Sequence, residues 1–584
     1  MPEGAAMDRY RALVLTGLLL TAASCQRAAS EPRPPSPSGF NAGLTGTIRP
    51  SANRGGTLHL GTSLSSIELD PARSWNSSEW NAQRLYTRTL LTAAPRPGIA
   101  GTVLVPDLAT AMPEVSADGL TYRFTLRAGV RFETGEPITA QDVKYGIERA
   151  FAQDVLSGGP TYLIDRLDQG QQYPGPYRDP APDRLGLRSV ETPDPRTIVF
   201  HLAEPFAQFP YLLAMGTAAP VPAAADTGDK YGSRPVSSGP YKFTVIDQGR
   251  RIALARNSAW DPTTDPVRTA LPDEINLTMG LAPDEVDAQL LDGTLDLSFD
   301  QIGLQPGNQA KVLLDPARKA NTDEPYTGSL GYAAINVHVS PFDNVHCRRA
   351  VQYATDKTAV QTAQGGPDAG GDIATDLLPP AFVGHSTTDR YQTASGRPQL
   401  DKARAELREC GHPDGFTTVL TVVDRPRAVR VAEAIQQSLA AAGIDAKIRP
   451  LDQSTYFRSD VGSPDNVHRN GYGIILSNWA ADYPSPQGFL PLRVDGRTIR
   501  ESGNNNYAEL DDPEVNRLID AAARTTAPDE VAAAWRQVDD AVMDTATMLP
   551  LVFQKAFNYR SPRLTNVYVS GYYGGWDLCT LGVA

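Results

Sequence analysis

From Gly55 onward, stretches in which apolar and polar residues alternate take turns with stretches in which apolar residues recur every three or four positions. Such alternation restricts the chain to α/β architectures, in which helices cover sheets. "GGTLHLGTS" (55–63) and "LTYRFTLRAGVRF" (120–132) alternate as half-buried strands do, and "LDPARSWNSSEW" between them reads as a loop followed by a helix over "NAQRLYTRTLL". After the second strand, Thr139 precedes Asp142 at capping-box spacing and Val143, Ile147 and Phe151 follow at helical spacing, so a capped helix is expected. The Gly-, Pro- and Asp-rich stretch from Gly158 to Pro195 reads as a surface excursion. "TIVFHLAEPF" returns to strand, and "SSGPYKFTVIDQGRRIALARN" reads as a hairpin entered through Gly239-Pro240. Beyond it, strands such as "GYAAINVHV", "TVLTVV", "GYGIILSNWAADY" and "MLPLVFQKAF" alternate with helices such as "RVAEAIQQSLAAAGI".

At 584 residues the chain exceeds what one hydrophobic core supports, so several lobes are expected. Its 67 acids against 54 Lys and Arg give a net charge of -13, which argues against nucleic acid or an anionic membrane face as the main partner. At the N-terminus, "MDRYR" from Met7 leads into the apolar run "ALVLTGLLLTAAS" and then Cys25, the pattern of an export signal too short to span a bilayer comfortably. Residues 26–53, rich in Pro, Ser, Gly and Ala, read as a disordered tether. Outside the cytosol disulfides are permitted, and Cys347 and Cys410, at the ends of two candidate helices of one lobe, are expected to pair, leaving Cys579 as a buried thiol.

Signs of catalysis are missing. The seven histidines are scattered, and no two stand at metal-ligand spacing. No nucleophile elbow, zinc-protease helix or phosphate loop occurs. The single acids Asp300 and Asp343 read as capping or solvated groups, and "QGGPDAGGD" as a flexible loop. No enzyme activity, cofactor or metal is expected.

Four segments in order, "VPDLATAMPEVSADGLTYRFTLRAGVRFETGEPITAQDVKYGIERA", "SSGPYKF" with "LARNSAWD", "INVHVSPFDNVHCRRAVQYATDKTAV" and "NWAADYPSPQGF", resemble the extracytoplasmic solute-binding proteins of ABC importers, in their oligopeptide and dipeptide branch. The small residues before Cys25 resemble a lipobox, with Ala22 where Leu is usual, and imply lipidation of Cys25 and attachment to the outer face of the cell membrane. The resemblance implies a two-lobed, periplasmic-binding-protein-like α/β fold with a small domain inserted in the first lobe. On that reading the first lobe comprises residues 54–80, 196–325 and 546–584, the insert 81–195 and the second lobe 326–545. It implies a monomer that closes over a peptide and presents it to a membrane permease.

In peptide-binding members an Asp after a Trp at the end of a second-lobe strand takes the peptide's α-ammonium, and Asp482 stands at that place. Trp479 and Tyr483 would wall the pocket, Asn478 and Ala480 would offer backbone groups to an extended ligand, and Trp75 and Asn76 would reach in from the first lobe. Some members carry an Arg six residues ahead of the Asp for the peptide's carboxylate; here that position is Leu476. Either the far end is held elsewhere, or the cargo is a metal chelate, haem, an opine or an oligosaccharide. An exported enzyme or a sensor on the same fold is the remaining alternative.

Overall fold

The computed structural model describes residues 38–391, 396–525 and 527–584. The signal segment, Cys25 and the tether up to residue 37 lie outside the described residues. Among those described, no helix is long and apolar enough to cross a membrane.

Three sheets organise the fold. The first has five strands, in the order Leu297–Ser298, Thr57–Gly61, Glu274–Thr278, Arg251–Arg256 and Tyr241–Asp247. Thr57–Gly61 runs parallel to both of its neighbours, whereas the last two strands form the expected antiparallel hairpin. Leu58, Leu60, Ile275 and Leu277 point to one core with Trp576 and Leu578 from the C-terminal segment, as the period of two in these strands requires.

The second sheet has six strands, in the order Asp372–Ile373, Met548–Lys555, Tyr326–Ile335, Ile474–Ala480, Thr417–Val423 and Asp445–Leu451. Both faces are covered, which is why its strands read as nearly continuous apolar runs. On one face Ala333, Leu420, Ile474 and Leu549 pack against Val351 of helix Val345–Ala354 and Ile435 and Leu439 of helix Pro426–Ala442. On the other, Leu330, Tyr332, Ile475 and Met548 meet Val515 and Ile519 of helix Pro513–Arg524 and Trp535 and Val538 of helix Pro528–Thr545. Cys347 and Cys410 form a disulfide between helices Val345–Ala354 and Leu400–Glu409, and Cys579 is a buried free thiol whose pKa burial pushes up to about 12.

The third sheet has four strands, Glu114–Val115, Thr121–Thr125, Thr197–His201 and Val190–Asp194, backed by helix Ala140–Arg149. Thr139 and Asp142 form the capping box at that helix's start.

Several boundaries differ from the sequence reading, each because a pairing partner outweighs local composition. Thr197–His201 pairs with Thr121–Thr125 and so joins the small sheet, beyond the expected insert limit of 195. Met548–Lys555 pairs with Tyr326–Ile335 and so belongs with the second lobe's sheet rather than the first lobe. The helix expected from Asn81 is Ser77–Gln83, started by Asn76 at its cap. The expected excursion after Gly158 holds helix Tyr162–Leu167, and its Leu163, Leu167 and Leu187 are fully buried. Nor is the tether reading right for residues 38–53: helix Ala42–Thr45 packs on the body, and Ile48 bridges to Val567.

Buried cations fasten the small sheet's domain to the first sheet's side, Arg268 through Asp107 and, most fully paired, Arg149. Arg149 donates from both terminal nitrogens to Asp70 at 2.9 and 2.8 Å and from Nε to Asp226 at 3.0 Å, with its guanidinium over Tyr231. Its guanidinium is out of water, so removal of Asp70, although Asp226 still balances the charge, strips both buried terminal nitrogens of their acceptors. Asp70→Ala is expected to cost about 3–5 kcal/mol, read as a lowered midpoint in urea unfolding.

Candidate functional site

Between the five- and six-stranded sheets lies a cavity of about 340 Å3. Ser77, Ser78 and Gln301 line it from one side, Ser329, Asn478 and Gln554 from the other. A second cavity, of about 370 Å3, runs into the six-stranded unit beneath Val422, Leu476 and Leu551. Gln364, Arg427, Asn478 and Gln554 line both, so the two adjoin as one cleft, polar between the sheets and mixed in the deeper part, where Val360, Val422, Leu476 and Leu551 add apolar surface. This combination suits a small ligand whose polar groups set its orientation.

The strand Ile474–Ala480 carries the site because its alternation divides its last residues. Asn478 and Ala480 face the cleft and are exposed. Trp479 points the other way, contrary to expectation: its indole N–H donates to the Phe489 carbonyl at 3.1 Å, and the Arg493 guanidinium stacks 3.9 Å from its ring. Period two explains this, since neighbours in a strand cannot share a face. The neighbouring strand Thr417–Val423 pairs only with Ile474 and Ile475, so the edge of Asn478 and Ala480 on that side has no strand partner.

Asp482 stands two residues past the strand end, half-buried. The Tyr162 hydroxyl donates to its Oδ2, and among the described residues Asp482 makes no ion pair. Burial raises its pKa above the usual carboxylate range, against the lowering by the Tyr162 hydroxyl and the charge of Arg493. Beside it is a chamber of about 20 Å3, room for one water-sized group. Gln83 Nε2 and Oε1, Arg84 Nε and Nη2 and the Tyr572 hydroxyl belong to residues around this chamber, and each is buried without a hydrogen-bond partner among the described residues. Arg84 is held through Nη1 by Asp577 at 2.7 Å.

The other expected residues are placed differently. Tyr483 is buried in the core of the small sheet, stacked on Tyr211 with centroids 5.6 Å apart, and joins that domain to the second lobe. Trp75 is exposed, lies edge-on to Tyr162 and donates to the Gly158 carbonyl. Asn76 is a helix cap, accepting from the Glu79 N–H at 2.8 Å; its neighbours Ser77 and Ser78 reach the cleft instead.

Sequence reasoning missed Tyr162 and Arg427. Arg427 sits in the first turn of helix Pro426–Ala442, whose N-cap, Arg425, makes no side-chain capping bond. The exposed guanidinium and the positive end of the helix therefore favour an anion there. The available signal is the junction "TVVDRPRAV", where a parallel strand hands over to a helix; ligands of α/β sheets gather at such carboxyl ends. Tyr162→Phe removes a bond that favours the ionised carboxylate. A further rise in the pKa of Asp482 is expected, measured by carboxyl-carbon NMR across a pH titration.

Residues 103–499 match the family described as bacterial extracellular solute-binding proteins, family 5. The solved structure of clavulanic acid biosynthesis oligopeptide binding protein 2 superposes with a TM-score of 0.89 at 46% identity, covering 94% of this chain and 99% of that one. Heme-binding protein A of Haemophilus influenzae is 28% identical over 96% of this chain and 97% of its own length. Glutathione-binding protein GsiB of Salmonella choleraesuis is 27% identical over 78% and 82% respectively. The architecture is thus the two-lobed α/β fold with an inserted domain.

Proposed function

The chain belongs to this family of extracellular solute-binding proteins that serve ABC importers, and we propose that it captures short peptides outside the cell and delivers them to an importer permease. The observation that carries this reading is Asp482, a half-buried carboxylate two residues past the cleft-lining Ala480, in a small chamber that shares Tyr573 with the cleft; it accepts from the neutral Tyr162 hydroxyl and makes no ion pair among the described residues. A half-buried carboxylate with no direct ion pair is costly, and a peptide's α-ammonium supplies that pair on arrival. The open edge at Asn478 and Ala480 supports the middle of the ligand through main-chain bonds, which give affinity without reading side chains. Arg427 takes the distal carboxylate, the role that Leu476 cannot fill, and the deeper cavity under Leu551 receives a side chain. Lipidation of Cys25 holds the protein at the outer face of the membrane.

The deciding experiment is native mass spectrometry of the exported protein after exposure to a mixed peptide digest. A ladder of peptide masses, lost in Asp482→Ala, is the expected result. A single non-peptide mass retained by that variant would replace peptides with another cargo on the same fold, as the names of the heme- and glutathione-binding relatives allow.

By calorimetry, Asp482→Ala is expected to weaken an amine-bearing peptide by about 2–5 kcal/mol, and acetylating the peptide's amine should do about the same. Because only ionised Asp482 attracts the ammonium, and its pKa is raised by burial, affinity should fall as pH is lowered through that raised pKa. The loss therefore begins at a higher pH than an ordinary aspartate would give, a profile that titration calorimetry between neutral and acidic pH can follow.

A further inference from the structure

The six-stranded unit is entered and left by two adjacent chain crossings. The first passes through strand Thr322–Asp323 into Tyr326–Ile335; the second leaves Met548–Lys555 through Ala556 and Phe557 into Asn558–Tyr559. These two short strands pair with each other, Thr322 opposite Tyr559 and Asp323 opposite Asn558. Any change in the angle between the lobes must be absorbed here, because hinge motion is taken up by a few residues at element ends.

The segment just after the outermost described residues lies across both crossings. Asn41 donates its backbone N–H to the Thr322 carbonyl at 3.0 Å and its side-chain amide to Glu324, and its Oδ1 accepts the Glu324 N–H at 2.7 Å. The Gly43 N–H donates to Asp323 Oδ1 at 2.8 Å. On the second crossing, the Phe40 ring packs against Phe557 with centroids 6.4 Å apart, and Lys319 lies over the outer ring. Asn41 holds a left-handed φ of 61°, and Gly43 fits only because it lacks a side chain: a Cβ there would stand 2.8 Å from Asp323 Oδ2. Composition called for a solvated linker here; the contacts instead build a side-chain-specific dock.

We propose that Phe40–Gly43 is a splint across the hinge, holding both crossings in the disposition seen when the lobes touch and so favouring the closed arrangement. The lobes do touch in this structure, through Tyr162 and Asp482 and through Tyr211 and Tyr483. Phe40–Gly43 is then a control point for closure, independent of which ligand fills the cleft.

The test uses spin labels on the full exported chain, at Arg250→Cys on the five-stranded sheet's hairpin and Asp401→Cys on helix Leu400–Glu409, both exposed. Pulsed electron resonance without ligand reports the distance between the lobes. In Asn41→Ala and in Gly43→Val the distribution should broaden and shift to the longer distances of an opened cleft, with the thermal melting cooperativity retained. Distributions unchanged from the parent in both variants, or shifted to shorter distances, would overturn the proposal. Asn41→Ala removes the half-buried amide and its two bonds to Glu324 but also strains the left-handed φ, so Asn41→Gly, which removes the same bonds and accepts that φ, is read in the same way and carries the test alone should Gly43→Val fail to fold. No ligand enters the measurement, so failure of the peptide assignment leaves it standing, and failure here leaves that assignment untouched.

Discussion

Asp323 is the buried charge on which the two-lobed arrangement rests. It has no exposure to solvent, and its oxygens accept from Arg560 Nη1 and Trp576 Nε1, both at 2.9 Å, as well as from the Gly43 backbone. Those three donors come from the far side of the second crossing, the C-terminal segment and the N-terminal segment, so one carboxylate on the first crossing gathers three remote parts of the chain. Buried charges persist only where such pairing is complete, and here each donor also fixes a backbone path. The cleft lies between the sheets that these paths connect, so its width and register are set where the chain crosses between lobes.

The site's geometry then follows from the pleat. Because side chains alternate, the strand that ends at Ala480 can give Asn478 and Ala480 to the cleft only by turning Trp479 into the second lobe's interior. Arg493 and the Phe489 carbonyl are waiting there. The aromatic that looked most like a pocket wall instead anchors the strand end to the second lobe, through the Phe489 carbonyl and the stacked Arg493, two to three residues before Asp482.

How far the sequence could be read depended on the range of the interactions involved. Strand and helix alternation, the capping box at Thr139 and the hairpin after Gly239-Pro240 are local, and the structure contains each of them. Thr197–His201 and Met548–Lys555 read correctly as strands but were assigned to the wrong lobe, because pairing partners far away in the chain decide membership of a sheet. The Asp482 neighbourhood was legible as a motif. Tyr162 was hidden in a stretch whose Gly and Pro content suggested a loop, and Arg427 in a helix start with no conventional cap. Residues 38–53 misled for the same reason: their composition cannot form a core alone, yet Ala42 and Ile48 are buried against a core that other segments supply.

The pinning of Arg149 between Asp70 and Asp226 has a mechanical meaning. The inserted domain is joined to the first lobe by a charge cluster that cannot slide without separating buried ions, whereas it meets the second lobe through stacked tyrosine rings and the hydrogen bond of the neutral Tyr162 hydroxyl to Asp482, which part without breaking an ion pair. The insert and the first lobe are thereby electrostatically one body, so a change in the angle between the lobes would fall on the paired crossings and carry the insert with the first lobe like a fixed jaw extension.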